Sequence, residues 1–191
     1  MRRITVPVVL AALALVSGCG SSDDPSPAPA PTATPGTAGA SPSDAGSSPG
    51  DAAAGVRLTR PNSSVVAPEG WTRGRQVSRD ADSADSPDQL SYIELAEIEA
   101  FGSTADAAEL GRTRIASSID AKPPKLLPVT ELDGVPVYHV AGFVNDEQYL
   151  DEYGAIRNDR IVTLTFSFNR RVPADERDQV VAEVLPTFAW K

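Results

Sequence analysis

The sequence predicts an α+β domain, an antiparallel sheet flanked by helices, carried behind a long low-complexity segment. Three observations lead there. Residues 160–168 alternate, with Val162, Leu164, Phe166 and Phe168 on one face and Thr163, Thr165 and Ser167 on the other. That is the pattern of a strand with one buried and one polar face. Turn signals at Asp133-Gly134, Asn145-Asp146 and Asn158-Asp159 divide the preceding region into strand-length pieces, a four-strand meander. Every aromatic residue lies after position 70, which confines the packed part to residues 56–191. About 135 residues suffice for one domain with a real core.

The chain opens with Arg2 and Arg3, then an apolar run over residues 4–16 interrupted only by Thr5 and Pro7. The run suits a signal-peptide core and falls short of the roughly 20 residues a membrane-spanning helix needs. It ends in Leu15-Val16-Ser17-Gly18-Cys19, which holds the only cysteine of the chain. This stretch resembles a bacterial lipobox, where a signal peptide is cut before a cysteine that carries lipid. The resemblance implies that residues 1–18 are removed and that Cys19 bears a diacylglycerol thioether. The competing reading, a plain secretory signal with an incidental cysteine, has the n-region, the run length, the small residues and the cysteine position against it. Two acyl chains anchor stably where one is marginal, since each buried CH₂ contributes about 0.8 kcal/mol. The expected location is the extracytoplasmic face of the cell membrane, and the membrane is the first expected partner. A lone cysteine forms no internal disulfide and, once acylated, offers no thiol for catalysis.

Residues 19–55 form the expected tether. After Cys19 they are rich in Ser, Pro, Ala, Thr and Gly, with Asp23, Asp24, Asp44 and Asp51 and no aromatic side chain. Such a segment buries too little apolar surface to offset its ordering entropy, so it reads as disordered. The Ala-Pro run over residues 25–35 favours extended polyproline II, at about 3.1 Å per residue. A passive spacer is the simplest role for it.

Within residues 56–191, two short extended pieces come first, separated near Pro61. Pro68-Glu69-Gly70-Trp71 reads as a turn delivering a tryptophan to the core. Residues 73–79 read as a weak strand, and residues 78–88, dense in Asp and Ser, as a loop. Residues 89–100 begin as a strand and end ambiguously, because Glu-Leu-Ala-Glu-Ile-Glu suits a helix equally. Ser103 is the expected N-cap of a helix over residues 104–119, with Asp106 completing a capping box. Ala108, Gly111, Ile115 and Ile119 share its stripe, and Gly111 leaves room for close packing on a sheet. Strands follow at 125–132, 135–144, 149–157 and 160–168. Pro173 opens a second helix, with Asp175 and Glu176 favouring its dipole and Val180, Val181, Val184 and Leu185 facing inward. Pro186 ends it, and Phe188 and Trp190 close the core edge.

Pro68-Glu69-Gly70-Trp71, the central helix, Leu132-Asp133-Gly134-Val135-Pro136-Val137 and Leu185-Pro186-Thr187-Phe188 together resemble the PsbP-like α/β/α domains, which include the LpqN-type lipoproteins. The resemblance spans residues 56–191 and rests on structural motifs. It implies a PsbP-like sandwich and a binding or accessory role rather than an enzymatic one, and it carries no ligand residue over.

The chain has a net charge of −9 and loses two arginines with the signal peptide. An acidic protein is a poor match for nucleic acid, whose phosphates demand Lys and Arg. His139 is the only histidine, on a strand face shared with Val135, Val137 and Ala141. It could act as a general base beside a carboxylate, or sit in the strand as a structural residue, the blander and favoured reading. With one histidine and one cysteine, zinc sites are excluded. No Gly-x-Ser-x-Gly elbow accompanies His139. Two acidic runs, Glu94, Glu97 and Glu99, and Asp146, Glu147, Asp151 and Glu152, supply carboxylates suited to Ca²⁺ but lack loop-site spacing; solvated faces are expected. Arg170-Arg171 reads as loop charge. The expectation is therefore no catalytic, cofactor or metal residue, with Cys19 as the lipid attachment site. The favoured function is an anchored module that binds an envelope protein or component. The alternatives are an envelope hydrolase using His139 and a carboxylate, or a carrier of a small molecule or lipid.

Overall fold

The alternating segment at 160–168 lies inside a seven-stranded antiparallel sheet. A computed structural model describes residues 55–76 and 78–191. The expected signal peptide, Cys19 and all but the last residue of the tether lie outside them. The strands are β1 (Arg57–Thr59), β2 (Ser63–Val66), β3 (Thr72–Arg73), β4 (Ala81–Asp85) and β5 (Tyr92–Glu99). Helix α1 (Ala107–Ala116) follows, then β6 (Lys125–Leu132), β7 (Val135–Phe143), β8 (Gln148–Arg157) and β9 (Arg160–Asn169). Helix α2 (Ala174–Val184), a short 3₁₀ turn through Pro186 and β10 (Ala189–Trp190) complete the chain. The large sheet runs β3-β4-β5-β9-β8-β7-β6, and a small sheet runs β1-β2-β10.

The meander forms as the turn signals predict. Asn158 and Asp159 take φ of +50° and +56°, and Asp133 and Gly134 take +46° and +74°. Positive φ at both central residues is the two-residue hairpin turn whose twist matches the flanking strands. The β8–β9 pair is continuous from Gln148↔Asn169 to Arg157↔Arg160.

Two layers cover the sheet. On one face Ile93, Leu95, Tyr153, Val162, Leu164, Phe166 and Phe168 pack against Val181 and Val184 of α2, with Leu58 and Val65 of the small sheet. On the other, Leu110 of α1 packs on Tyr138, Val140 and Leu150. The architecture is α+β, antiparallel sheets with two helices, as the sequence predicts.

Five local expectations are corrected. The stretch read as a loop contains β4, whose partner β5 imposes extension: Ala84 faces Ile93, and the small Ala81 and Ala84 are buried. Accordingly the weak strand expected over 73–79 shrinks to Thr72–Arg73. Helix α1 starts one turn late. Asp106, not Ser103, is its N-cap, accepting from the Glu109 N–H at 2.8 Å, while the Ser103 hydroxyl accepts from the Ala105 N–H at 3.4 Å in a local turn before the helix. The helix ends at Ala116, and Ile119, expected on its apolar stripe, is fully exposed. Finally, the Thr165–Ser167 face is not simply solvated, since both residues are buried.

Candidate functional site beside helix α1

Helix α1 packs on β6, β7 and β8. Between its flank and the same face of β9 and β5 lies a groove of about 340 Å³. Strand register builds the groove in rows. Glu94, Thr165, Glu152 and Val140 stand side by side across β5, β9, β8 and β7. Toward one end, Ile98 of β5 pairs with Ile161 of β9. Leu110, Thr113 and Arg114 of α1 and Ser117, its C-cap, form the other wall.

A charged network forms the floor. Glu152 is 6% exposed. Its Oε1 accepts from the Tyr138 hydroxyl at 2.7 Å and from Arg114 Nε at 2.9 Å, and Oε2 accepts from an Arg114 terminal nitrogen at 3.3 Å. Arg114 Nη1 also lies 3.7 Å from Asp120. A buried carboxylate is tolerable only with such partners. Burial, then the neighbouring Glu152 charge, hold the Tyr138 hydroxyl well above the usual tyrosine range. Glu94 has no hydrogen-bond partner among the described residues, and burial followed by the Glu152 charge raises its carboxyl above the ordinary value.

One end of the groove carries exposed apolar surface. Ile98, which lines the groove, is 51% exposed, and Phe101, three residues further along the chain, is 86% exposed. Phe101 occupies the turn from β5 toward α1 with φ of +51°, a left-handed conformation costly for a bulky side chain. The turn is fastened to the β8–β9 hairpin turn: the Ala100 N–H donates to the Asp159 carbonyl at 3.0 Å and the Gly102 N–H to Asp159 Oδ1 at 2.9 Å. A strained aromatic held out into water is the reverse of what core packing rewards. Chemically, the groove offers an apolar strip flanked by hydroxyls and one unpaired carboxyl, over a floor whose charges are matched.

The sequence candidates divide differently. His139 does meet a carboxylate: its Nε2 lies 2.7 Å from Asp151 Oδ1. Its ring stacks on Tyr153 at 4.3 Å, on the face opposite the groove. No serine or threonine hydroxyl among the described residues hydrogen-bonds the imidazole. The acidic runs are only in part the solvated faces expected: Glu99, Asp146 and Glu147 are exposed, but Glu97 and Glu152 are buried. Glu97 is 2% exposed and accepts from Ser63 Oγ at 2.7 Å and from the Asn62 backbone at 3.0 Å, which ties β5 to the β1–β2 turn. Glu152 lies in the groove floor. Asp146 pairs with Lys122 at 2.5 Å, and Glu147 lies 3.5 Å from Arg170. Among the described residues no three His, Cys, Asp or Glu side chains converge to hold a metal. Cys19 lies outside them. Sequence reasoning passed over Arg114, Tyr138 and Phe101. Arg114 did leave a signal, because it sits four residues after Leu110 on the same helix face, an arginine in an apolar stripe.

No protein-family model matches the chain, and no curated protein matches it. Among solved structures it is similar to the solution structure of cyanobacterial PsbP (CyanoP) from Synechocystis sp. PCC 6803. The TM-score is 0.50 at 16% identity, over 80% of this chain and 98% of that one. It is also similar to a crystal structure from Bacteroides thetaiotaomicron VPI-5482, with a TM-score of 0.46 at 12% identity, over 72% of this chain. The chain spans 48% of that second protein. The likeness to CyanoP is one of fold, and the fold matches PsbP.

Proposed function

We propose that the protein is a lipid-anchored extracytoplasmic module that binds an envelope partner through the α1 groove, and that it is not an enzyme. The observation that carries the binding reading is Phe101, strained at φ +51° and exposed three residues after Ile98, which lines the groove and is itself half exposed. Conformational strain persists where surrounding structure enforces it, and it clusters at recognition sites. Large exposed apolar side chains next to a groove favour docking of another apolar surface. The non-catalytic reading is supported by the PsbP-like fold and by the packed, aromatic-stacked setting of the His139–Asp151 pair. The anchor rests on the lipobox resemblance at residues 15–19.

Two measurements test the proposal. Intact mass of protein extracted from membranes should exceed the residue 19–191 polypeptide by a lipid-sized increment, and Cys19→Ala should lose both the increment and membrane retention. A freely released, unlipidated product removes the anchor. A photo-crosslinking residue at position 101 should give a discrete adduct in intact cells that the same residue at Glu183, on the exposed side of α2, does not give. Identical patterns at both positions remove the groove from the proposal.

A further inference from the structure

On the α2 side of the sheet, away from the α1 groove, a second recess of about 280 Å³ lies between the 68–71 turn, the β4–β5 hairpin and α2. We propose that it receives one basic side chain, the ammonium or guanidinium of a lysine or arginine on a protein partner. Its wall is apolar: Trp71, Phe168 and Val180 line it. Trp71 is half-buried and set in place by its turn, where its N–H reaches the Pro68 carbonyl at 3.2 Å and Gly70 takes φ of +81°. An aromatic wall suits both the aliphatic stem and the cationic tip of such a side chain.

Two carboxylates flank the wall, Asp88 from the hairpin and Glu176 from the first turn of α2. Among the described residues neither forms an ion pair. Asp88 is pre-oriented, since the Ser86 hydroxyl donates to its Oδ1 at 2.5 Å and the Leu90 N–H at 3.1 Å. Those bonds hold it below the usual carboxylate range, so it stays charged in mild acid. The third polar group is Ser91. It is 5% exposed, lines the recess, and its Oγ has no hydrogen-bond partner among the described residues. A buried hydroxyl without a partner is costly, and here it borders the recess. The acidic net charge of the chain, −9, steers basic partners toward it. A neutral apolar side chain would leave both carboxylates without a counter-charge, and an anionic one would be repelled.

The experiment uses the full chain in detergent and follows its two tryptophan indole N–H signals by NMR, with Trp71→Phe assigning one of them. The probes are Nα-acetyl-arginine amide and Nα-acetyl-lysine amide, with Nα-acetyl-norleucine amide as the neutral isostere and n-butylammonium as a free amine. The capped basic probes should shift the Trp71 signal saturably and the norleucine probe should not. Glu176→Gln, at an exposed helix position, should weaken the capped probes roughly twofold to fivefold, the range of one solvent-facing ion pair. No saturable shift, or an equal shift from norleucine amide, overturns the proposal. Tighter binding of n-butylammonium than of capped lysine would reassign the recess to small amines and overturn the protein partner.

Discussion

Tyr138 lies directly across the β7–β8 ladder from Gly154, and its ring fills the space a side chain would occupy there. A Cβ built on Gly154 would stand 2.6 Å from Tyr138 Cε1 and 2.8 Å from its hydroxyl. On the helix side, a Cβ on Gly111 would lie 2.8 Å from Tyr138 Cβ. Two glycines thus sandwich one tyrosine and set its hydroxyl on Glu152. Gly154→Ala should therefore push the ring off Glu152 and destabilise the domain by about 1–3 kcal/mol, the usual cost of overpacking. Urea denaturation of the variant beside the parent reads this directly. An unchanged midpoint would mean that the ring relocates freely.

The Arg114–Glu152 pair should behave asymmetrically. Arg114→Met leaves a buried carboxylate short of its cation and should cost about 3–5 kcal/mol. Arg114→Met combined with Glu152→Leu removes both charges and should recover much of that loss, because paired burial is itself expensive. The check is a double-mutant cycle by chemical denaturation. Equal and additive losses would contradict the coupling that the 2.9 Å contact implies.

Two groups in the groove should make stability depend on pH in the same direction. Burial, then the Glu152 charge, raise both the Glu94 carboxyl and the Tyr138 hydroxyl. A raised folded-state value means that the protonated form is favoured in the fold. That contribution is complete below the unfolded value and is lost as pH rises through the folded one. For Glu94 the window opens above its ordinary value of 4.5. Glu94→Gln should thus be more stable than the parent at pH 7, with the difference vanishing in acid. For Tyr138 the loss begins above its ordinary value of 10.0, and Tyr138→Phe should flatten the alkaline decline. Thermal melts across pH for the three proteins decide both points.

The strands that were legible in the sequence are those whose own side chains alternate, β9 above all, and those bounded by hairpin turns such as Asn158-Asp159. Strand β4 was illegible because Ala-Asp-Ser-Ala-Asp has little strand character of its own, and its extension comes from pairing with β5. Glu97 and Glu152 were misread for a related reason. Each belongs to a run of spaced acidic residues, and its burial depends on partners distant in sequence: Asn62 and Ser63 for one, Arg114 and Tyr138 for the other. Local pattern reports which face a residue lies on. It does not report what covers that face, and here α1 covers only part of it. The groove exists because of that incomplete cover, so its lining could not be listed before the fold was known.

Phe101 offers the sharpest separation of stability from function. At φ +51° a phenylalanine is strained, whereas asparagine tolerates the left-handed region because its short side chain clashes less. The phenyl ring is 86% exposed, so its removal forfeits little packing. The backbone bonds from Ala100 and Gly102 to Asp159 do not involve the ring and should survive the change. Phe101→Asn should accordingly leave stability equal or raise it by up to about 1 kcal/mol. If Phe101 is held in the open to meet a partner, the same variant should lose groove-dependent binding, which a crosslinker moved to Ile98 would report. Most surface changes that remove a binding residue leave stability near zero or lower it; a gain in stability coupled to a loss of binding identifies a residue kept at structural cost. A substantial fall in stability would instead assign Phe101 to packing and remove it from the docking surface.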